Sequence, residues 1–106
     1  MTWMARQGDI LVMEVPMIPA NLPQRPSDKG RVILAYGEVT GHAHALDAKL
    51  ATAYGPSDDA FWLTVKPGAT IAHEEHAPIV IPDTVRNLRV IRQREYSAAG
   101  ERRVAD

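Results

Sequence analysis

Apolar side chains recur along this chain with a period of two. Phe61, Leu63 and Val65 fall on one side of the alternation and Trp62, Thr64 and Lys66 on the other, as in a strand with one buried face. The preceding run, Lys49 to Tyr54, is separated from Ala60 to Lys66 by Gly55-Pro56-Ser57-Asp58-Asp59. Those five residues are turn formers, so the two runs are expected to pair as a hairpin. Nearer the N-terminus Gly8 opens a strand over Asp9 to Val15, in which Ile10 and Val12 alternate with Leu11, Met13 and Val15. Apolar residues on both faces predict burial on both. Arg31-Val32-Ile33-Leu34-Ala35-Tyr36 is rich in β-branched residues and stops at Gly37, and Glu38 to Leu46 reads as a further strand interrupted at Gly41. Ala69 to His76 is short, Ile79-Val80-Ile81 is closed by Pro82-Asp83, and Val85 to Tyr96 is the last strand.

The segments between these runs exclude long helices. Residues 16 to 30 contain Pro16, Pro19, Pro23 and Pro26 and end in Ser27-Asp28-Lys29-Gly30, which predicts a long surface loop. Pro67-Gly68 makes another turn, and eight prolines spread through 106 residues leave no room for a sustained helical period. The expectation is an all-β fold, a small single-domain barrel, roll or sandwich of short strands spanning residues 1–96. Residues 97–106 are small and charged without an apolar period and are expected to be a flexible C-terminal tail. Sheet edges in so small a domain need cover, which makes a homo-oligomer an expected partner arrangement.

Composition narrows the function classes. The formal net charge is −1, with 45% hydrophobic and 24% charged residues, so there is no overall pull toward nucleic acid or anionic lipid. No apolar run approaches the roughly 18 residues of a membrane span, and the first residues lack a signal-peptide core, so a cytoplasmic location without membrane association is expected. Cysteine is absent. There can be no thiolate nucleophile and no cysteine zinc knuckle, and any metal must be held by nitrogen and oxygen.

All four histidines fall in two tight pairs. His42 and His44 are two apart, so on a strand both imidazoles point to one face, while Gly41 and Ala43 leave the other uncrowded. In His73-Glu74-Glu75-His76 the histidines are three apart and converge only if the chain turns or bulges between them, which Pro78 favours. With that turn, His42, His44, His73 and His76 are candidate ligands of a divalent transition metal, zinc or iron in preference to the oxygen-seeking calcium and magnesium. Glu74 and Glu75 are candidate catalytic bases or oxygen ligands beside them. The competing interpretation is that these are surface or hydrogen-bonded histidines, or metal-free acid–base groups.

Size excludes the amidohydrolase barrels, and Leu46 and Asp47 stand where a metallo-β-lactamase would carry Asp and His. His42-Ala43-His44, then Pro67-Gly68, then His73 resembles the order of the two cupin motifs, although Ala48 and Lys49 occupy the place of the cupin glutamate; the analogy is architectural. A broader resemblance covers most of the chain. Arg6-Gln7-Gly8-Asp9, the stretch from Gly37-Glu38-Val39-Thr40 through Gly41-His42-Ala43-His44, His73-Glu74-Glu75-His76-Ala77-Pro78-Ile79 and Arg92-Gln93-Arg94-Glu95-Tyr96 are similar to a group of small uncharacterised bacterial and phage proteins. That resemblance implies a shared domain and supplies no reaction.

Arginine is concentrated in the last strand. Arg86, Arg92 and Arg94 share strand parity with Leu88 and Val90, whereas Arg89 lies opposite, and these three are the candidates for binding an anion or nucleic acid. The commoner role of such residues is to solvate a sheet face or guard an edge. No phosphate-binding glycine loop or serine elbow is present. Three functions therefore stand: a metal-binding β domain that extends to a small metalloenzyme, a metal-free His/Arg phosphodiesterase-like or RNA-binding protein, and a non-catalytic interaction module.

Overall fold

A computed structural model describes residues 2–37, 41–97 and 100–103, with 94–97 and 100–103 in backbone alone. Gly8 turns the chain back on itself within two residues. Its φ of 57° is the left-handed value that the first central residue of a type II′ hairpin needs, and Gln7 pairs with Ile10 across it. Strand β1 (Met4–Gln7) thus runs antiparallel to β2 (Ile10–Glu14), with only Gly8 and Asp9 between. The strand expected to begin at Asp9 has an additional partner upstream.

The remaining strands are β3 (Arg31–Tyr36), β4 (Ala43–Asp47), β5 (Ala51–Tyr54), β6 (Ala60–Val65), β7 (Thr70–Ile71), β8 (Ile79–Val80), β9 (Asn87–Arg92), β10 (Arg94–Ser97) and β11 (Gly100–Arg103). The fold is all-β, with no helix among the described residues. No helix long and apolar enough to cross a membrane occurs among them. The expected hairpin is present as β5 and β6, paired from Ala51–Val65 to Tyr54–Trp62. Of the strand expected over 38–46, residues 38–40 lie outside the described residues, and the ordered ladder begins at Ala43.

Five strands form one antiparallel sheet in the order β1-β2-β9-β6-β5. Its inner face is built in rows. Val12, Val90 and Phe61 lie side by side, followed by Leu88, Leu63 and Ala53, all buried. Outside, Leu11, Met13 and Trp62 are half-buried, so β2 buries one face fully rather than two. Arg89 pairs with Trp62 and lays its guanidinium over the indole at 5.5 Å.

The second layer starts from the β3–β4 hairpin, whose ladder slips between Ile33 and Ala35, leaving Leu34 as the extra residue of a bulge. Ala45 and Ala72 then exchange two backbone hydrogen bonds, 3.0 and 2.9 Å, joining β4 to the end of β7, which pairs with β8. Val32, Leu34, Leu46, Ile71 and Ile81 from this layer pack into the same buried cluster as the five-stranded sheet. One core serves both.

Residues 16–30 form no regular strand but are not free of the sheet. Gln24 bridges to Tyr54, the Arg25 N–H donates to Ala53 O and the Gly55 N–H to Pro23 O, so this loop covers the β5 edge. At the other end, the strand expected over 85–96 breaks at Gln93, whose N–H donates to Asp9 O at 2.7 Å. β10 then pairs with β11, from Arg94–Arg103 to Ser97–Gly100, so that Arg94 to Tyr96 of the expected last strand pair back on β11, which lies in the stretch expected to be a tail. Residues 98, 99 and 104–106 lie outside the described residues.

Candidate functional site

The Ala45–Ala72 pairing decides the geometry of the histidines. An antiparallel ladder through that pair sets His44 opposite His73, Ala43 opposite Glu74 and His42 opposite Glu75. The side chains follow. The His44 and His73 rings lie 4.3 Å apart between centroids, the Ala43 N–H donates to Glu74 Oε1 at 2.9 Å, and His42 Nδ1 is 3.8 Å from Glu75 Oε2. Past His73 the chain bends instead of continuing as a strand, bringing His76 to 4.6 Å from His73 and 5.7 Å from His44. His42 meets His73 edge-on at 5.9 Å. Both pairs therefore come together in one cluster, through the turn that their three-residue spacing required.

The cluster is buried at its centre. His44 is fully buried and His73 nearly so, whereas His42 and His76 are half-buried and form its rim. Nε2 of His73 and Nε2 of His76 are buried without a hydrogen-bond partner, and so is Nδ1 of His42. Gly37 leaves space here: a Cβ at that position would lie 3.1 Å from His42 Cβ and 3.4 Å from His73 Nε2.

Two residues outside the histidine motifs orient His44. The Gln7 amide, almost fully buried, donates to Ile71 O at 3.1 Å and to Ala77 O at 2.9 Å. Those two carbonyls fix which way the amide faces, so Oε1 is the atom 2.8 Å from His44 Nδ1 and accepts its proton. Nε2 is then the His44 atom on the side of the cluster. It lies 3.6 Å from Oδ1 of the fully buried Asp9. Asp9 Oδ2 accepts from Arg92 Nε at 2.7 Å, and the same guanidinium donates through NH2 to Tyr36 O at 3.3 Å.

The carboxylates of the second motif are not equivalent. The Ala43 N–H and the Glu74 backbone N–H hold the Glu74 carboxyl below the usual carboxylate range, and nearby His42 and His73 act in the same direction. Glu74 is thereby engaged as a clamp between the two segments. Glu75 stays at the exposed rim beside His42. Its backbone N–H donates to His73 Nδ1 at 3.0 Å. Among the described residues, no group of three or more His, Asp or Glu side chains stands in the geometry of a metal site.

A family model for a domain of unknown function, DUF8820, matches residues 6–93. The chain belongs to DUF8820. No curated protein and no solved structure shows significant similarity to it. The stretch that defines DUF8820 here contains Gln7, Asp9, Gly37, all four histidines and Arg92, and it excludes the β10–β11 hairpin.

Within this DUF8820 domain the arginine candidates separate. Arg92 turns inward to Asp9, while Arg86 is exposed and folds back onto the carbonyls of Asp83 and Val85. The Arg94 side chain lies outside the description. Arg86 and Arg92 do not form one surface. Sequence reasoning missed Gln7, Asp9 and Gly37 as site residues; Gln7 and Asp9 flank the glycine of Arg6-Gln7-Gly8-Asp9, and their polarity next to a tight turn was the available signal.

Proposed function

We propose that this DUF8820 domain binds one divalent transition metal, zinc or ferrous iron, through His44 and His76 with His73 as a third imidazole and His42 at the rim. The observation that carries the reading is the burial of several imidazole nitrogens in one cluster, with ring centroids of His44, His73 and His76 separated by 4.3 to 5.7 Å. Buried nitrogens without partners cost about 1–3 kcal/mol each, and a shared ion would offset that. His44 also has the outer support usual for a ligating histidine, its second nitrogen donating to a fixed carbonyl-type oxygen. Loading would ask His73 to give up the bond from Glu75, because that bond leaves its proton on Nε2.

That same bond favours a second reading, a metal-free histidine cluster in which His73 Nε2–H serves as an internal donor. Elemental analysis and calorimetric titration with zinc distinguish them. Under the metal reading the parent binds one equivalent at micromolar or lower concentration, His44→Ala and His76→Ala each weaken binding at least about tenfold, and affinity falls in acid as protons compete for the ring nitrogens. A parent protein that takes up neither zinc nor ferrous iron at micromolar concentration refutes the metal reading.

A further inference from the structure

We infer that the centre keeps one coordination position open on the side of Gly37, between His42 and His73, for a small monodentate anion; the inference rests on the metal reading above. Gly37 is not glycine for its backbone, since it lies outside the positive-φ region that Gly8, Gly30, Gly41, Gly55 and Gly68 occupy. It is glycine for space. The three atoms nearest to a Cβ there would be His42 Cβ at 3.1 Å, His73 Nε2 at 3.4 Å and His42 O at 3.5 Å. His42 O accepts the Gly37 N–H at 2.8 Å, which fixes Gly37 beside the rim histidine. His73 is 8% exposed, and its Nε2 is buried without a hydrogen-bond partner. The glycine therefore opens onto that nitrogen.

The 3.4 Å distance to His73 Nε2 fits a neighbouring ligand. Two ligand atoms each about 2.1 Å from one ion at a tetrahedral angle are about 3.4 Å apart, so a methyl on residue 37 would stand in the shell that a second ligand beside His73 needs. The two glutamates do not claim this side. Glu74 is held by the Ala43 N–H at 2.9 Å, and Glu75 Oε2 lies at the exposed rim, 3.8 Å from His42 Nδ1. His42 meets His73 edge-on, and its Nδ1, buried without a hydrogen-bond partner, offers one to an entering ligand. Charge and size select that ligand. A divalent ion on neutral imidazoles keeps its double positive charge, which favours an anion. Walls made of the Gly37 backbone and two imidazoles 5.9 Å apart between centroids limit the anion to a few atoms. An open position of this kind separates a reactive metal centre from a closed structural one.

The test uses the whole chain, with cobalt(II) in place of zinc because its visible bands report a change of ligand, and azide as the anion. Azide is expected to shift the bands of the loaded parent with a single saturating site. Gly37→Ala asks His42 Cβ to move by a few tenths of an ångström. With its fold checked by circular dichroism and one equivalent of cobalt bound, this variant should hold azide at least about tenfold more weakly. A parent that binds neither zinc nor cobalt overturns the metal reading and this inference with it. A parent that holds cobalt but whose bands do not respond to millimolar azide overturns the open position alone, as does a cobalt-loaded Gly37→Ala that binds azide within twofold of the parent. Where Gly37→Ala does not fold or does not hold cobalt, solid-state NMR of the zinc-loaded parent decides. Dipolar coupling between ¹⁵N-azide and the ¹³Cα of Gly37 is expected, and its absence overturns the inference.

Discussion

Gln7 offers the sharpest check on the architecture beneath the site, because its role does not depend on metal. Its amide makes three hydrogen bonds inside the protein, to Ile71 O, Ala77 O and His44 Nδ1, and the residue is only 3% exposed. Gln7→Met keeps the length and approximate volume while removing every polar atom. Two carbonyls and one imidazole N–H are then left without this partner. At a net 0.5–1.5 kcal/mol per bond the three sum to about 3 kcal/mol, and any group that stays buried and unsolvated raises the cost. Set against a typical domain stability of roughly 5–15 kcal/mol, that is a large fraction. For a chain near 100 residues it corresponds to a melting temperature about 15 °C lower. Urea unfolding followed by the fluorescence of Trp3 and Trp62 measures it directly. A change below about 0.5 kcal/mol, smaller than one ordinary hydrogen bond, would refute the network as described.

Two further outcomes follow from other parts of the fold. Leu88→Ala opens a void in the central strand of the five-stranded sheet at a fully buried position, and denaturant unfolding should show a loss of about 2–5 kcal/mol. Tyr36 donates its hydroxyl to Asp28 Oδ2 at 2.6 Å, and that bond to a carboxylate raises the phenol above its ordinary value. A folded-state value above the unfolded one means the contribution is fully present below the ordinary tyrosine range and is lost as pH rises through the raised value. Spectrophotometric titration of Tyr36→Phe should accordingly lack the most alkaline phenolate component seen in the parent, and persistence of that component would assign it to another tyrosine.

Much of the fold was legible because burial enforces a period of two. The β5–β6 hairpin and the inner row of Phe61, Leu63 and Val65 follow directly from alternation and turn chemistry. β1 was hidden for the opposite reason. Its only buried residue is Gln7, while Met4 and Arg6 are exposed, so an apolar–polar pattern runs backwards there. The strand over 85–96 was overextended because Gln93 breaks it through a bond to Asp9, a long-range contact with no local signature.

The site shows the same division. The need for a turn between His73 and His76 could be read from spacing, but the convergence of the two pairs depends on a bridge between Ala45 and Ala72, two residues with nothing distinctive in the sequence. Asp9 was more accessible than it looked. Arg92 shares strand parity with the buried Leu88 and Val90, and the register places it opposite Ile10, the neighbour of Asp9. An arginine carried on the core-facing side of a strand must find a carboxylate or carbonyl, since burying it unpaired is prohibitive. Taken as a requirement for a partner instead of as a surface charge, Arg92 points to an acid near the opposite end of β2, where Asp9 stands. The same logic applies to Gln7, a polar residue on an inward position whose amide must be fully bonded. Polar residues at core-facing positions, more than the histidine spacing itself, carry the information about where the imidazoles are held.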